Sequence, residues 1–300
     1  MEELTTEYQL IINEYNDFLK EIKRTTEKIL SRNQIPIAFG ISGRTKTLDS
    51  IFEKLSSERC VIKKSVTELN DLIGLRIVIL FPEFKDRVVE ILSSEFKLLN
   101  EPFKSNQSPD KFGYSSIHLI LGIKDEWTKT PDWENHSDKK IEVQVRTLSE
   151  HIWAETSHSL FYKREENIPD IINRDLYRLS ALLEVVDEKL QTIKNTVEKH
   201  FYYISSAPYE DILKLDLNSE TFRRIMIENS GGNYKLTDHN NKILSSRIEK
   251  DYNVLNAEYL NKLIADKIDV TEINEDEFIE KVLEILDDEK QKIDNEQSEE

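Results

Sequence analysis

Between residues 3 and 31 the apolar positions Leu4, Tyr8, Ile11, Tyr15, Phe18, Ile22 and Ile29 fall on alternating steps of four and three, with one gap. That spacing is one face of an α-helix and predicts an amphipathic helix at the N-terminus. Asn33-Gln34-Ile35-Pro36 ends it, because proline cannot continue a helix. The period then changes. Leu72 to Leu80 is a near-continuous apolar run, as expected of a strand buried on both faces. Phe84 to Phe96 has helical spacing, and Ile117 to Ile123 reads as another apolar strand. Ile141, Val143 and Val145 alternate with Glu142, Gln144 and Arg146, so this half-buried strand projects three polar side chains from one face. Helical character returns from Leu148 to Lys163.

Farther on, Ile172, Leu176, Leu179, Leu183, Val186, Leu190, Ile193 and Val197 keep four-three steps. A long helix along the core and an oligomer seam are both open readings of that repeat. Ser205-Ser206-Ala207-Pro208 reads as a linker, and Tyr234 to Leu244 as a hairpin around an Asp/Asn-rich turn. Two helices are expected at about 256–268 and 275–290, with Asn274 and Glu277 as a capping box for the second. Asp294 to Glu300 reads as a disordered acidic tail. The expected division is 1–204, 205–293 as a mainly helical accessory region, and the tail 294–300.

Composition narrows the class. The 300 residues are 38% hydrophobic and 33% charged with only 7 Gly and 7 Pro, which allows a core built on long helices. No apolar run approaches the ~18–20 residues that span a bilayer. The acidic start Met1-Glu2-Glu3-Leu4 has no signal-peptide character, so the cytoplasm is the expected compartment and no membrane partner is expected. Cys60 is the single cysteine, which excludes an internal disulfide and a cysteine-based zinc site. The net charge of −17 is uneven: residues 201–300 hold 12 Lys and Arg against 24 Asp and Glu. A polyanionic substrate must therefore be held by a local basic pocket.

Four clusters carry candidate chemistry. Arg44, Lys46 and Lys54 form a basic group suited to a phosphate chain, or a solvated basic face. Asp71 precedes the apolar strand that holds Arg76, a charge that needs a partner there. Lys111, Gly113, Tyr114 and His118 stand at a strand entrance where a ring can stack on a base, or where a turn simply holds a core tyrosine. His151, Glu155, His158 and Tyr162 share one helix face after Glu142-Val143-Gln144-Val145-Arg146-Thr147; a hydrogen-bonded face is the simpler reading and a metal site the other.

Together these clusters resemble the synthetase domain of the RelA/SpoT family, the (p)ppGpp synthetases, in its small stand-alone form. The matching pieces are Gly43-Arg44-Thr45-Lys46 with Ser50 and Lys54, Asp71 to Arg76, Gly113 to His118, Glu142 to Thr147, and Trp153-Ala154-Glu155 with His158, Tyr162 and Lys163. The resemblance implies an α+β fold, a mixed β-sheet flanked by helices in a nucleotidyltransferase-like arrangement. It implies transfer of the β,γ-pyrophosphate of ATP to the 3′-hydroxyl of GDP or GTP, releasing AMP, without hydrolase activity. In that scheme Asp71 holds Mg²⁺, and Glu142 shares the metal or deprotonates the hydroxyl. Arg44 and Arg76 sandwich adenine, and Lys46 and Lys54 hold ATP phosphates. Tyr114 stacks on guanine, with Lys111, His118, Gln144, Arg146 and His151 on the acceptor side.

The departures fall on that side: Asp110, Ser115 and His151 stand where relatives often carry Lys, Arg and Asn. A toxic relative that pyrophosphorylates the 3′ end of tRNA, restrained by the acidic C-terminal region, is therefore the alternative. A non-catalytic nucleotide-binding protein is a second; the presence of both carboxylates argues against it.

Overall fold

In the computed structural model, residues 2–58, 60–104, 116–161, 170–229, 236–265, 267 and 275–298 are described. The apolar run becomes strand β2 (Ile73–Ile79), and the alternating segment becomes β6 (Ile141–Thr147). These two pair in parallel at the centre of a mixed sheet. Antiparallel neighbours complete it: β1 (Ser42–Thr45) on β2, β5 (Ile117–Gly122) on β6, and β3 (Lys97–Leu98) and β4 (Phe103–Lys104) on β5. The order is β1-β2-β6-β5-β3, with β4 also paired to β5.

Helix α1 (Glu2–Arg32) covers one face, burying Tyr15, Phe18, Ile22 and Ile29 of the predicted stripe, with Leu30 buried beside it. Gly43 allows its close approach: a Cβ there would lie 2.9 Å from Leu19 Cδ1. Helix α2 (Leu48–Ser56) starts at Thr47, whose hydroxyl accepts from Ser50 N. Helix α3 (Phe84–Glu95) adds Val88 and Leu92 to the core. Helix α4 (Leu148–Phe161) follows β6 directly, and α5 (Asp170–Ser206) is the heptad helix. The stripe of α5 is uneven: Ile172, Val186, Ile193 and Val197 are exposed. β2 is not sealed on both faces. Ile73, Leu75 and Ile77 are buried, whereas Gly74 and Arg76 open onto a cleft.

The chain divides into two units, 1–193 and 194–300, inside α5. The second unit is helical: α6 (Tyr209–Ile212), α7 (Ser219–Asn229), α8 (Asp238–Tyr252), α9 (Ala257–Ile264) and α10 (Glu275–Ser298). Its core gathers Phe222, Ile225, Leu244, Ile248, Leu260 and Val282.

Three expectations are corrected here. From Asp238 on, the expected hairpin is helix: Thr237 caps α8 by accepting from Asn240 N, and Leu244 and Ile248 are buried one turn apart. Tyr234 lies outside the described residues. The supposed linker is the end of α5, which runs through Ser206 and stops two residues before Pro208. The acidic tail is helical as far as Ser298. Asn274 of the expected capping box lies outside the described residues. Among the described residues no helix is long and apolar enough to cross a membrane.

Candidate active site

Strand alternation builds the site. Side chains of one parity enter the core, and those of the other parity share the opposite face. Cross-strand register aligns Arg44, Gly74 and Glu142 in one row and Ser42, Arg76, Gln144 and His118 in the next. A cleft of about 280 Å³ lies over these rows, lined by Ser42, Gly43, Arg44, Asp71, Gly74, Leu75, Arg76, Glu142, Gln144 and Glu155. Gly74 leaves it open between Arg44 and Glu142; a Cβ there would sit 3.9 Å from Arg44 Cγ.

Asp71 stands just before β2 and receives two ammonium groups on one oxygen. Lys46 Nζ donates to Oδ2 at 2.7 Å and Lys54 Nζ at 2.6 Å. Lys46 is held from both sides, its N–H donating to Leu72 O and its carbonyl accepting from Tyr8 Oη. Lys54 comes from the last turn of α2. Burial pushes the Asp71 carboxyl up, but the hydrogen bonds and charges of Lys46 and Lys54 outweigh it and leave it below the usual value.

Glu142 faces it from β6. His118 Nδ1 lies 2.9 Å from Oε1, and Gln144 Nε2 donates to Oε2 at 3.1 Å. The chain continues through Arg146 Nη2, which donates to Gln144 Oε1 at 2.7 Å. Ser116 Oγ lies 2.5 Å from His118 Nε2. With Nδ1 as the donor to Glu142, the serine hydroxyl donates to Nε2. Burial raises Glu142, but His118 and Gln144 bring it below the ordinary range despite the Asp71 charge. Burial and then the Arg76 charge lower Arg146 to about 10.

Arg76 finds its partner on α4, donating from Nη1 to Glu155 Oε1 at 2.5 Å. Glu155 is 54% exposed, so solvent screens the pair and its net stabilisation is small. Arg76 Nε and His151 Nδ1 are buried without a hydrogen-bond partner. Burial and the Arg76 charge lower the His151 pKa.

The structure thus brings Arg44, Asp71, Arg76, Glu142 and Gln144 to one cleft. Lys46 and Lys54 lie against Asp71, His118 against Glu142 and Arg146 against Gln144. Lys111, Tyr114 and Tyr162 lie outside the described residues. No group of three or more His, Cys, Asp or Glu suited to a metal forms among the described residues, so the helix-face metal reading gains nothing. The sequence reading missed Ser42, Gly74 and Leu75 as cleft walls, and it missed Glu155 as the partner of Arg76. The only signal for the last was that an arginine in an apolar strand needs a carboxylate.

Known proteins resemble the part of the chain that carries this cleft. Residues 43–167 match the model described as the region found in RelA / SpoT proteins. The chain is 28% identical over 201 residues to GTP pyrophosphokinase YwaC of Bacillus subtilis, covering 66% of this chain and 87% of that protein. It is 29% identical over 194 residues to GTP pyrophosphokinase YjbM of the same organism, covering 64% and 87%. The crystal structure of small alarmone synthetase 1 from Bacillus subtilis bound to its product pppGpp superposes with a TM-score of 0.54 at 26% identity, over 64% of this chain and 99% of that one. The matched region opens at Gly43 on β1 and takes in both carboxylates, both cleft arginines and α4, so residues 43–167 carry the region found in RelA / SpoT proteins.

Proposed function

We propose that this protein is a (p)ppGpp synthetase that transfers the β,γ-pyrophosphate of ATP to the 3′-hydroxyl of GDP or GTP. The observation that carries this reading is the pairing of two ionised carboxylates, Asp71 and Glu142, in one cleft edged by Lys46, Lys54, Arg44 and Arg76. The 3′-oxygen attacks the β-phosphorus, the bond from that phosphorus to the α,β-bridging oxygen breaks, and AMP leaves with that oxygen. Glu142 accepts the hydroxyl proton, with His118 and Gln144 orienting its carboxylate. Lys46 and Lys54 compensate charge on the pyrophosphoryl oxygens, and Arg44 and Arg76 hold the adenine. Gln144, Arg146, His118 and His151 serve the acceptor side, together with Lys111 and Tyr114. An all-oxygen pair of carboxylates suits Mg²⁺, which commonly takes one or two carboxylates plus substrate phosphates. Asp71 and Glu142 would hold it, and it supplies charge neutralisation to the phosphate chain.

Incubating the chain with γ-labelled ATP and GDP, GTP or tRNA tests the acceptor. Label is expected in a guanosine tetra- or pentaphosphate with release of AMP; label in tRNA alone would replace this reading. The tRNA alternative gains no support from the relatives described above. Arg76→Ala should raise the KM for ATP roughly ten-fold with a smaller change for the acceptor, measured by steady-state kinetics with each substrate varied.

The second part of the reading is that residues 1–204 suffice for catalysis, 205–293 are accessory and 294–300 are their acidic end. The buried core of the sheet unit lies between Tyr15 and Val145. A chain ending at residue 204 should therefore stay folded and synthesise product. Complete loss of activity in a soluble, folded truncation would place the C-terminal region in the active site. The exposed heptad positions Ile172, Val186, Ile193 and Val197 support self-association along α5. Ile193→Glu with Val197→Glu should then lower the mass measured by light scattering.

A further inference from the structure

Behind the end of β6 lies a second polar cluster, set in the protein interior and unused by the reaction above. Thr147 closes β6 and caps α4, its Oγ1 accepting from Glu150 N at 3.1 Å while Glu150 Oε2 accepts from Thr147 N at 2.8 Å. This is a reciprocal capping box. Lys85 Nζ of α3 donates to Glu150 Oε1 at 2.5 Å. The Thr147 hydroxyl in turn donates to Asp187 Oδ2 of α5 at 2.6 Å. Thr147 is 2% exposed, and Glu150 and Asp187 are each 7% exposed. Asp187 Oδ1 is buried with no hydrogen-bond partner.

Two buried carboxylates beside one ammonium group are a costly way to join helices. An apolar residue of similar volume at position 187 would pack there without an orphaned oxygen, and such replacements are often neutral or stabilising. What the carboxylate supplies is a directed bond to one hydroxyl. That hydroxyl belongs to the residue next to Arg146, whose guanidinium is linked through Gln144 to Glu142. The same residue sets the first turn of α4, where His151 stands.

We propose that Asp187 is a positioning residue for the acceptor half of the site, fixing Arg146 and His151 through its bond to Thr147. This rests on the synthetase reading above. A displacement of a fraction of an ångström at Thr147 is passed to Arg146 by the adjoining peptide and to His151 by the helix start. On the ATP side, Arg44, Lys46 and Lys54 come from β1, α2 and the link between them and make no bond to Asp187 among the described residues. Arg76 bonds to α4 through its solvent-screened pair with the exposed Glu155.

The test is steady-state kinetics with ATP and acceptor varied separately, together with melting temperature. The variants are Thr147→Val, Asp187→Leu, their double variant, Thr147→Ser and Asp187→Asn. Thr147→Val and Asp187→Leu should each lower kcat/KM for the acceptor about ten-fold while the KM for ATP stays within about two-fold. The double variant should be no worse than the poorer single one, because both remove the same bond. Thr147→Ser and Asp187→Asn keep the donor and the acceptor and should stay within about two-fold of the unmodified chain. Asp187→Leu should melt no lower than the unmodified chain despite its kinetic loss. If Thr147→Val does not fold, Asp187→Leu against Asp187→Asn decides the matter alone. Unchanged kinetics, or equal losses on both substrates, overturn the proposal. An unmodified chain that releases no AMP with any acceptor overturns the synthetase reading instead.

Discussion

Asp71→Asn and Glu142→Gln should each lower (p)ppGpp synthesis by about a thousand-fold or more, because on the reading proposed above each keeps its size and removes an anionic charge from the point where the phosphate chain is gathered. The two variants should differ in stability. Lys46 is 9% exposed, and its ammonium donates to Asp71 Oδ2. An amide at position 71 leaves that buried charge without its counter-ion, so Asp71→Asn should also lower the melting temperature. Glu142 contacts His118 and Gln144 rather than a lysine, and an amide can keep a hydrogen bond to either. Glu142→Gln should therefore melt near the unmodified chain. Single-turnover assays with labelled ATP at saturating Mg²⁺, paired with thermal melts, separate chemistry from folding. Near-normal turnover in either variant would remove that carboxylate from the reaction.

The other large effect belongs to the core. Phe18 on α1 is fully buried, with its ring centroid 6.1 Å from that of Trp133 in an edge-on arrangement and 4.9 Å from that of His136. Phe18→Ala should cost about 3–5 kcal/mol through lost burial and the cavity left behind. Against the roughly 5–15 kcal/mol that holds a domain together, this is enough to lower the midpoint of activity loss in urea markedly. Phe222 is equally buried, but in the helical core of the second unit. Phe222→Ala should lower that unit's stability and leave synthesis by the sheet unit intact. Chemical denaturation followed by both activity and circular dichroism distinguishes the two. Equal loss of activity from both variants would show that the cores are energetically one.

The elements legible in the sequence were those whose burial imposes a period. β6 alternates because one face meets the core and the other the cleft, and α1 keeps a single apolar stripe along its length. β1 was not legible: Ser42-Gly43-Arg44-Thr45 has no apolar pattern, and only pairing with β2 makes it a strand. The misreading at Asp238–Leu244 has a plain cause, since Thr, Asp and Asn favour both turns and helix N-caps, and the buried Leu244 and Ile248 decide between them. In the site, residue types alone left Arg44, Lys46 and Lys54 open to being a solvated basic face. The burial of Lys46 on Asp71 is a tertiary fact that spacing could not reveal. The need of Arg76 for a carboxylate was visible, but Glu155 reaches it only through the fold.

The parallel pairing of β2 with β6 has a consequence for how the protein comes into being. β2 ends at Ile79 and β6 begins at Ile141, with α3, β3, β4 and β5 between them. A chain emerging from the ribosome therefore presents Ile73–Ile79 with β1 and the short Ile37 bridge to pair with, until the distant partner has been made. Non-local strand pairing of this kind slows folding and leaves apolar surface open to association meanwhile. It also separates the two carboxylates in time, since Asp71 is synthesised well before Glu142. Slower synthesis or lower temperature should thus favour soluble yield, and on the reading proposed above the nascent chain acquires both carboxylates only when β6 has been made.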